Sequence, residues 1–539
     1  MQDLKIATAA FLRDGITQFY NHGYFGSPEP HVAPSRDMPW ANRIRHWNTW
    51  WPYYHHVAEY VARACCLLRQ GRLVADVLIY SPQATAWSET AIWGSARRVM
   101  PYGNLAKTLV ANGYDFDIVN DDLLQHRATF QDGRLEINGY TRRVLILPRA
   151  TVVPVETMRA IEKFSQAGGT VVALDELPAA SAGLRNVAAN DREVQRIVTD
   201  LFHARSSGPS RAVFLPEYKL ERLPFSPGRQ PYTPTPPLTA AQRRLLAVLE
   251  RVTPPDFALA GRVQSDGLTF IHKQVDSVDV YFVCNLQPKR IATDVTFRVT
   301  GKAPQRWDAV TGSSHPVSAY RLEAGGTTLP LEFEAWESAF FLFAPGAAPA
   351  VLAAPNPRTV PESWELTGSW NLLLEGYGFE TWQTNLTALA SWTDQPRTRH
   401  FSGTGRYERE FTITPEHWVD GVRMVLDLGQ VGNLAEVLVN GHPVGVTWMP
   451  PYRLDITQAA CKGKNRLVVL VTNTLINHVA GLKEPPEVPL DLQPRLGKAN
   501  PGVYPQGKLA RIEMSETDLP LSGLVGPVRI LYEASASVP

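Results

Sequence analysis

The chain has 539 residues, of which 44% are hydrophobic and 19% are charged, and its formal net charge is +1. This length exceeds what one hydrophobic core supports, so about three or four domains are expected. The balanced charge and the dispersed Lys and Arg residues argue against nucleic acid as a partner. No run of about 18 apolar residues occurs, so no membrane span is predicted. The four cysteines show neither metal-ligand nor disulfide spacing, and no metal ligand is assigned.

Residues 1–72 show the pattern of one or two β/α units. Apolar spacing predicts a helix over residues 6–12 that ends at Gly15, a strand over 16–20 and a helix over 53–70. A barrel of the TIM type needs eight such units. We therefore expect a remnant of the last units of a (β/α) barrel, unless this segment packs on something else. No basic region precedes an apolar core at the start, so no signal peptide is predicted and the compartment stays unknown.

Residues 73–205 alternate between apolar strands and amphipathic helices. The runs VADVLIY, DFDIV, RRVLIL and TVVAL are predicted strands, and helices separate most of them. This alternation is typical of a parallel, doubly wound sheet. Acidic residues follow two of the strands, where α/β sheets bind ligands, although solvated loop acids give the same pattern. They are Asp121, Asp122, Asp175 and Glu176.

A connector and two all-β units are predicted for the rest of the chain. Residues 206–255 are basic and rich in proline, as expected of an ordered connector, and residues 256–350 carry short strands at even spacing. Residues 351–539 contain four β-forming runs separated by turn residues. Between two of them, Asn440-Gly441 predicts a type I′ hairpin turn, because both positions must tolerate positive φ. The strand pattern alone fits any antiparallel sandwich.

The order of the motifs in this last unit is more specific than its strand pattern. The phrases YEREF, VLVNG, YRLDIT and GKNRLVVLVTN follow one another. In this order they resemble the sugar-binding jelly-roll domain, of galactose-binding-like type, of family 2 glycoside hydrolases. The matching residues are Tyr407, Phe411, Leu428, Ala435, Val437, Asn440, Gly441, Gly445, Tyr452, Asp455, Thr457, Gly463, Asn465 and Asn473. The resemblance implies a carbohydrate ligand.

The α/β unit resembles the class I glutamine-amidotransferase-like domain that follows the barrel in family 42 β-galactosidases. Active amidotransferases carry a nucleophilic Cys on the turn after the third strand. Here that turn is Leu147-Pro148-Arg149-Ala150, which has neither Cys nor Ser. We therefore predict a domain without amidotransferase chemistry.

Three phrases in the first all-β unit, DVYFVCN, RWDAVTG and LPLEFEAWESAFFLF, carry a further resemblance. They are similar to the β-sandwich region of α-L-rhamnosidases of glycoside hydrolase family 106, as are the segments before and after them. The matching residues are Asn285, Trp307, Asp308, Thr311, Gly312, Ser338 and Phe343. The resemblance implies hydrolysis of terminal α-L-rhamnosyl linkages in a glycan, with a calcium ion near the sugar.

The same resemblance places most of the catalytic barrel ahead of this chain. An upstream segment or a partner chain would then supply the barrel, and the chain alone is expected to hydrolyse little rhamnoside. The alternative is a non-catalytic carbohydrate-binding or scaffold protein built from the accessory domains.

Candidate catalytic residues follow from the needs of glycoside hydrolysis. An inverting enzyme uses two carboxyl groups about 6.5–9.5 Å apart, one as acid and one as base. Glu89 lies between two tryptophans, in a predicted loop after the first α/β strand, and is favoured over Glu29, Asp37 and Glu59. A solvated loop acid is the competing interpretation for each of them.

Candidate sugar-binding residues lie before the second predicted helix. His22 is expected at a strand end, and His46, Trp50 and Trp51 come just before the helix. An imidazole can hydrogen-bond a sugar hydroxyl and an indole face can stack on a sugar ring. A core cluster at the start of the helix is the competing interpretation.

Overall fold

The computed structural model describes residues 1–21, 44, 46, 48–89, 103–203, 211–221, 236–261, 267–317, 319–346, 363–419, 421–481 and 519–534. The chain divides into two compact units. The first unit comprises Met1–Thr8, Gln18–Arg63 and Ala353–Pro539, and the second comprises Ala9–Thr17 and Ala64–Leu352. Within the described ranges, no helix combines the length and the apolar character needed to cross a bilayer.

The longer helices of the α/β domain bury one apolar face each, as their residue spacing predicts. They are α1 (Gln2–Arg13), α2 (Tyr54–Leu68), α3 (Gln83–Glu89), α4 (Gly103–Ala111), α5 (Asp121–His126), α6 (Val155–Gln166), α7 (Val187–Phe202), α8 (Ala240–Val252) and α9 (Ile476–Gly481). The predicted helices over 6–12 and 53–70 correspond to α1 and α2, and a 3₁₀ turn at Trp51–Tyr53 leads into α2.

The strand predicted over residues 16–20 was wrong, because the backbone there closes helix α1 instead. The amide of Gly15, at a φ of +83°, donates to the carbonyl of Leu12, and the amide of Ile16 donates to that of Phe11. These two bonds form a Schellman motif. Ile16 and Tyr20 are 44% and 83% exposed, so the segment lacks the buried face that holds a strand on a sheet.

A parallel five-stranded sheet forms the centre of the α/β domain. The first nine strands of the chain are β1 (Arg72–Leu73), β2 (Val77–Tyr80), β3 (Phe116–Val119), β4 (Thr129–Gln131), β5 (Arg134–Ile137), β6 (Tyr140–Arg142), β7 (Val144–Leu147), β8 (Thr170–Leu174) and β9 (Arg211–Leu215). The parallel sheet has the order β3-β2-β7-β8-β9. Side chains alternate between two apolar cores, one shared with α5, α6 and α7 and the other with α4 and α8. Strands β4, β5 and β6 form a small antiparallel sheet.

The proline-rich stretch 206–255 contributes two elements to this domain. Strand β9 pairs in parallel with β8, and helix α8 begins at Thr239, whose side chain forms a capping box with Gln242. Leu245 and Leu249 of α8 are fully buried against the sheet. The stretch is thus more than a connector in the described structure.

Two antiparallel sheets form the first sandwich. Its strands are β10 (Phe257–Leu259), β11 (Leu268–Val275), β12 (Val278–Asn285), β13 (Ile291–Phe297), β14 (Lys302–Trp307), β15 (Ser314–Pro316), β16 (Arg321–Glu323), β17 (Gly326–Phe333) and β18 (Ser338–Pro345). One sheet has the order β1-β11-β12-β18-β14-β15 and the other β10-β13-β17-β16. An aromatic core lies between them, in which Phe297 packs on both Tyr281 and Phe341.

The second sandwich has a six-stranded sheet, β21-β20-β22-β28-β25-β26, and a four-stranded sheet, β19-β30-β23-β27. Its strands are β19 (Trp364–Glu365), β20 (Trp370–Gly376), β21 (Phe379–Leu386), β22 (Gly403–Ile413), β23 (Val422–Asp427), β24 (Gln430–Gly432), β25 (Leu434–Val439), β26 (His442–Thr447), β27 (Arg453–Asp455), β28 (Gly463–Thr472), β29 (Gly523–Gly526) and β30 (Arg529–Ala534). Asn440 and Gly441 join β25 to β26 at φ values of +54° and +80°, which confirms the predicted turn. The predicted combination of α/β and all-β parts is confirmed.

Candidate functional site

A cluster of aromatic rings precedes helix α2. The rings of Trp51 and Tyr54 stack with centroids 5.4 Å apart and an interplanar angle of 9°, and Trp50 lies 6.0 Å from Tyr54. All three side chains are half-buried. Pro52 at the start of the 3₁₀ turn fixes the backbone that carries them. The cluster therefore offers aromatic surface held in place by its own stacking.

Two hydrogen bonds tie this segment to the second sandwich. The hydroxyl of Tyr53 donates to Oε2 of Glu436 on β25 at 3.0 Å, and the hydroxyl of Thr49 donates to the carbonyl of Asn473 after β28. Burial, and then the neighbouring Glu436 carboxylate, raise the pKa of Tyr53 to about 12. Tyr53 is therefore a neutral hydrogen-bond donor at physiological pH, and the aromatic cluster is anchored to a sheet.

Three histidines lie close to the aromatic cluster along the chain. His46 is exposed, and the rings of His55 and His56 lie 4.0 Å apart. Burial, followed by the neighbouring His55, lowers the pKa of His56. Indole faces can stack on sugar rings, and imidazoles and carboxylates can hydrogen-bond sugar hydroxyls. Of the four predicted sugar-binding residues, Trp50 and Trp51 belong to the aromatic cluster, and His46 lies four residues before Trp50 along the chain.

The remaining predicted residues are placed as follows. His22, Glu29 and Asp37 lie outside the described residues. Glu89 ends helix α3, where a loop was predicted, and its side chain also lies outside the described part. This stretch is helical because Ala84, Thr85 and Ala86 pack inward, with Thr85 bonded to Val152.

Glu59 lies on the solvent side of α2, where its carboxylate pairs with Arg63 at 2.8 Å. An exposed ion pair one helical turn apart is a common surface feature and suggests no chemistry. The described residues therefore bring no two of the proposed catalytic carboxylates together.

The acids at the strand ends have structural partners. Asp121 begins helix α5, and its carboxylate accepts bonds of 2.7 Å from Tyr80 and from Thr157. Asp175 pairs with Lys219 at 2.5 Å, as Glu176 does with Arg149 at 3.0 Å. Asp122 lies beside Asp121 in the first turn of α5. These contacts favour the interpretation that the acids serve the fold.

Sequence reasoning missed a buried charged cluster around His272 in the first sandwich. His272 lies on β11, and its ring contacts the carboxylates of Asp256 and Asp279. The one available signal is a His in the strand-forming run LTFIHKQV, directly after the apolar residues Phe270 and Ile271. In the described part of the chain, no group of three or more His, Cys, Asp or Glu side chains could hold a metal ion, so no ligand set for the expected calcium is apparent there.

Comparison with known proteins supplies the family context. The model of glycoside hydrolase family 106, described as α-L-rhamnosidase, matches residues 1–322, and the model of the family 2 sugar binding domain matches residues 347–480. The first match gives no support to the prediction that most of the catalytic barrel is missing.

Two individual proteins are similar to the chain. A rhamnosidase structure from Novosphingobium sp. PP1Y aligns with 99% of this chain and 46% of its own, at 24% identity and a TM-score of 0.74, so the two share a fold. A protein of Formosa agariphila named "Putative beta-glucuronidase" is 27% identical over 360 residues, which are 65% of this chain and 26% of that protein. The chain thus spans about half the length of the solved relative and about a quarter of the curated one.

Proposed function

The chain belongs to the α-L-rhamnosidases of glycoside hydrolase family 106, and we propose that it acts in the hydrolysis of terminal α-L-rhamnosyl linkages in glycans. The observation that carries the proposal is the family match over residues 1–322. The sugar-binding match over residues 347–480 supports a carbohydrate ligand. No nucleic acid or membrane partner enters the proposal.

The proposed domain organisation keeps the boundaries inferred from the sequence. The end of a (β/α) barrel occupies residues 1–72, an amidotransferase-like domain 73–205, a connector 206–255, a β-sandwich 256–350 and a galactose-binding-like jelly roll 351–539. The parallel sheet and the two antiparallel sandwiches support this division. Strand β9 and helix α8 argue for extending the second domain through residue 252.

The proposed sugar contacts are those of the aromatic cluster. Trp50 and Trp51 would stack on a sugar ring, and His46, with His22, would bond hydroxyls. Support comes from the anchoring of this segment to the second sandwich through Tyr53. Glu89 is the proposed acid.

The test is turnover and binding by the purified chain. We expect release of L-rhamnose from an aryl α-L-rhamnoside, loss of turnover in Glu89→Gln and about three- to tenfold weaker sugar binding in Trp50→Ala, as expected for a lost aromatic contact. The matched control for Glu89→Gln is Glu59→Gln, which removes an exposed carboxylate. The matched control for Trp50→Ala is Trp307→Ala on strand β14 of the first sandwich. Both controls should behave as the unaltered chain does.

A second function, carbohydrate binding without catalysis, is favoured by one observation. The described candidate Glu59 is exposed and paired with Arg63, so no two of the candidate catalytic carboxylates lie together among the described residues. Catalysis needs interactions that strengthen in the transition state, which sugar binding alone does not provide. Saturable binding of a rhamnoside without release of rhamnose would therefore replace the hydrolase proposal by this one.

A further inference from the structure

A polar cavity of about 310 Å³ lies inside the second compact unit, between the α/β sheet and the first sandwich. Residues 72–76, which lead from β1 into β2, form one side, and residues 139–142 of the β5–β6 hairpin form another. The floor consists of polar side chains of the first sandwich. The volume is at the lower end of the range of about 300–1,000 Å³ found for small-molecule sites.

The floor is built around a buried imidazolium. Nδ1 of His272 contacts Oδ2 of Asp256 at 2.8 Å, and Nε2 contacts Oδ1 of Asp279 at 3.1 Å. Burial alone would lower the pKa of His272, but the two carboxylates raise it to about 9. Lys302 also donates to Asp279, at 2.5 Å. At neutral pH both carboxylates of the floor are therefore already neutralised.

The third lining carboxylate is neutralised as well. Arg298 bridges Asp76 at 2.7 Å and Asp256 at 3.1 Å, and Arg143 lies 3.6 Å from Asp76. Thr253 adds a hydrogen bond to each side of this bridge, accepting from Arg298 and donating to Asp76 at 3.0 Å. A cationic ligand would therefore have to compete with ion pairs that are in place.

Two further arginines, Arg142 and Arg72, line the cavity. Arg142 is 4% exposed; it donates through Nη1 to the carbonyl of Thr141 at 3.0 Å and through Nη2 to the half-exposed carboxylate of Asp117 at 3.3 Å, but its Nε has no hydrogen-bond partner among the described residues. Arg72 donates through Nη1 to the carbonyl of Gly139 at 3.0 Å, and no described carboxylate lies within ion-pairing distance of it. A buried guanidinium with an unsatisfied donor is costly unless an acceptor reaches it.

The charges of the lining therefore favour an anion. Three arginines and the His272 imidazolium face three aspartates in the lining. Arg72 has no described carboxylate within ion-pairing distance, and the ion-pair partner of Arg142, Asp117, lies outside the lining. Planar guanidinium groups bind carboxylates and phosphates through paired, charge-assisted hydrogen bonds. The tip of the hairpin, at Gly139 with a φ of +81°, brings its carbonyl to Arg72 and so fixes that side chain at the cavity.

We propose that this cavity binds a small oxyanion of at most monosaccharide size, held by Arg72 and Arg142. The source of the oxyanion is either the carboxylate of an acidic monosaccharide or free inorganic phosphate. The site is separate from the proposed rhamnosidase activity and does not depend on it, and its test needs no turnover.

The experiment is calorimetric titration of the full chain at neutral pH with D-glucuronate, with inorganic phosphate and with neutral D-glucose. The variants are Arg72→Gln and Arg142→Gln. The matched control is Arg134→Gln, which removes an exposed arginine of the same hairpin outside the cavity. We expect about tenfold weaker binding or more in each of the two variants, since a charged hydrogen bond is lost, and no change in the control.

The outcomes separate the sources. Binding of glucuronate but not phosphate identifies an acidic sugar, and the reverse identifies a free oxyanion. No binding of either, glucose binding as tightly as glucuronate, or affinities unchanged by Arg72→Gln would overturn the proposal. Because Arg72 is exposed, Arg72→Gln is expected to fold, and it tests the proposed anion site even if Arg142→Gln does not fold.

Discussion

The two sandwiches bury polar groups in different ways. In the first, an imidazolium lies between two carboxylates, so His272, Asp256 and Asp279 are all charged. In the second sandwich, the buried polar groups include neutral side-chain amides that hydrogen-bond the backbone. Asn473 is fully buried, and its side chain bonds the backbone of Phe401 and Gly403 at 2.8 and 2.9 Å.

This difference separates two kinds of stability. Buried charges lose hydration and are stable only while every partner is present and ionised. Buried amides lose less hydration, and their hydrogen bonds do not depend on pH. The first sandwich should therefore respond strongly to pH and to single substitutions, and the second should respond less and without pH dependence.

The largest expected effect comes from His272→Leu. Removing the imidazolium leaves Asp256 and Asp279 buried with only Arg298 and Lys302 as cations, so strands β11 and β12 should lose about 3–5 kcal/mol. Hydrogen exchange localised to these strands measures the loss, and strands β22 and β28 of the second sandwich serve as the internal control. A change below about 1 kcal/mol would show that the imidazolium is not required.

The next effect concerns pH. The folded-state pKa of His272 is about 9, above the unfolded value of about 6.5, so its stabilisation is complete below about pH 6.5 and is lost as pH rises through 9. The loss is of the order of 3 kcal/mol. Hydrogen exchange of β11 and β12, corrected for intrinsic rates, should therefore accelerate between about pH 7 and pH 10, with β22 and β28 much less affected.

The two aspartates change the stability with pH in the opposite direction to His272. Burial would raise the pKa of Asp256 and Asp279, but His272 lowers both, helped by Arg298 and Lys302 respectively. Their stabilisation is present above the unfolded pKa of about 3.9 and is lost as pH falls through the lower folded values. Equal pH profiles for the two sandwiches would contradict the comparison.

A smaller, pH-independent effect is expected for Asn473→Ala. The substitution leaves the amide of Gly403 and the carbonyl of Phe401 without their side-chain partner in a buried site, at a cost of about 1–3 kcal/mol. The measurement is hydrogen exchange of β22 and β28 at two pH values. Thr404→Ala, which removes a bond between threonine hydroxyls on the same strands, is a milder control.

The features that the sequence predicts correctly are local. Continuous apolar runs such as 144–147 indicate buried parallel strands, and Asn440-Gly441 indicates its turn, because each depends on neighbouring residues only. Strand β9 was missed because the prolines that surround it dominate the composition of its stretch.

The polar contacts could not be predicted, since they join positions distant along the chain. Tyr53 and Glu436 are 383 residues apart. Asp256 reaches His272 from the segment just before β10, and the register that sets Gln274 opposite Asp279 brings Asp279 within reach of the ring. Periodicity specifies which face a side chain occupies, but it does not specify its partner across that face.

The smallest expected effect compares two asparagines in the same kind of turn. Asn138 and Asn440 both have a φ of +54° and both precede a glycine with positive φ. Glycine adopts this backbone freely, so Asn→Gly leaves the turn intact and removes only the side chain. At Asn440 the side chain also donates to Ala459 and Asn465, each within 2.9 Å, and accepts from the amide of Arg466.

Asn440→Gly should therefore cost about 1–2 kcal/mol, whereas Asn138→Gly on the exposed hairpin should stay within about 0.5 kcal/mol. The check is the change in opening free energy of β25 and β26 beside that of β5 and β6. Equal losses in the two hairpins would mean that the side-chain hydrogen bonds of Asn440 add nothing measurable to the stability of this turn. A larger loss at Asn440 would show that hydrogen bonds of a neutral amide stabilise the second sandwich even at the edge of its sheet, as ion pairs stabilise the interior of the first sandwich.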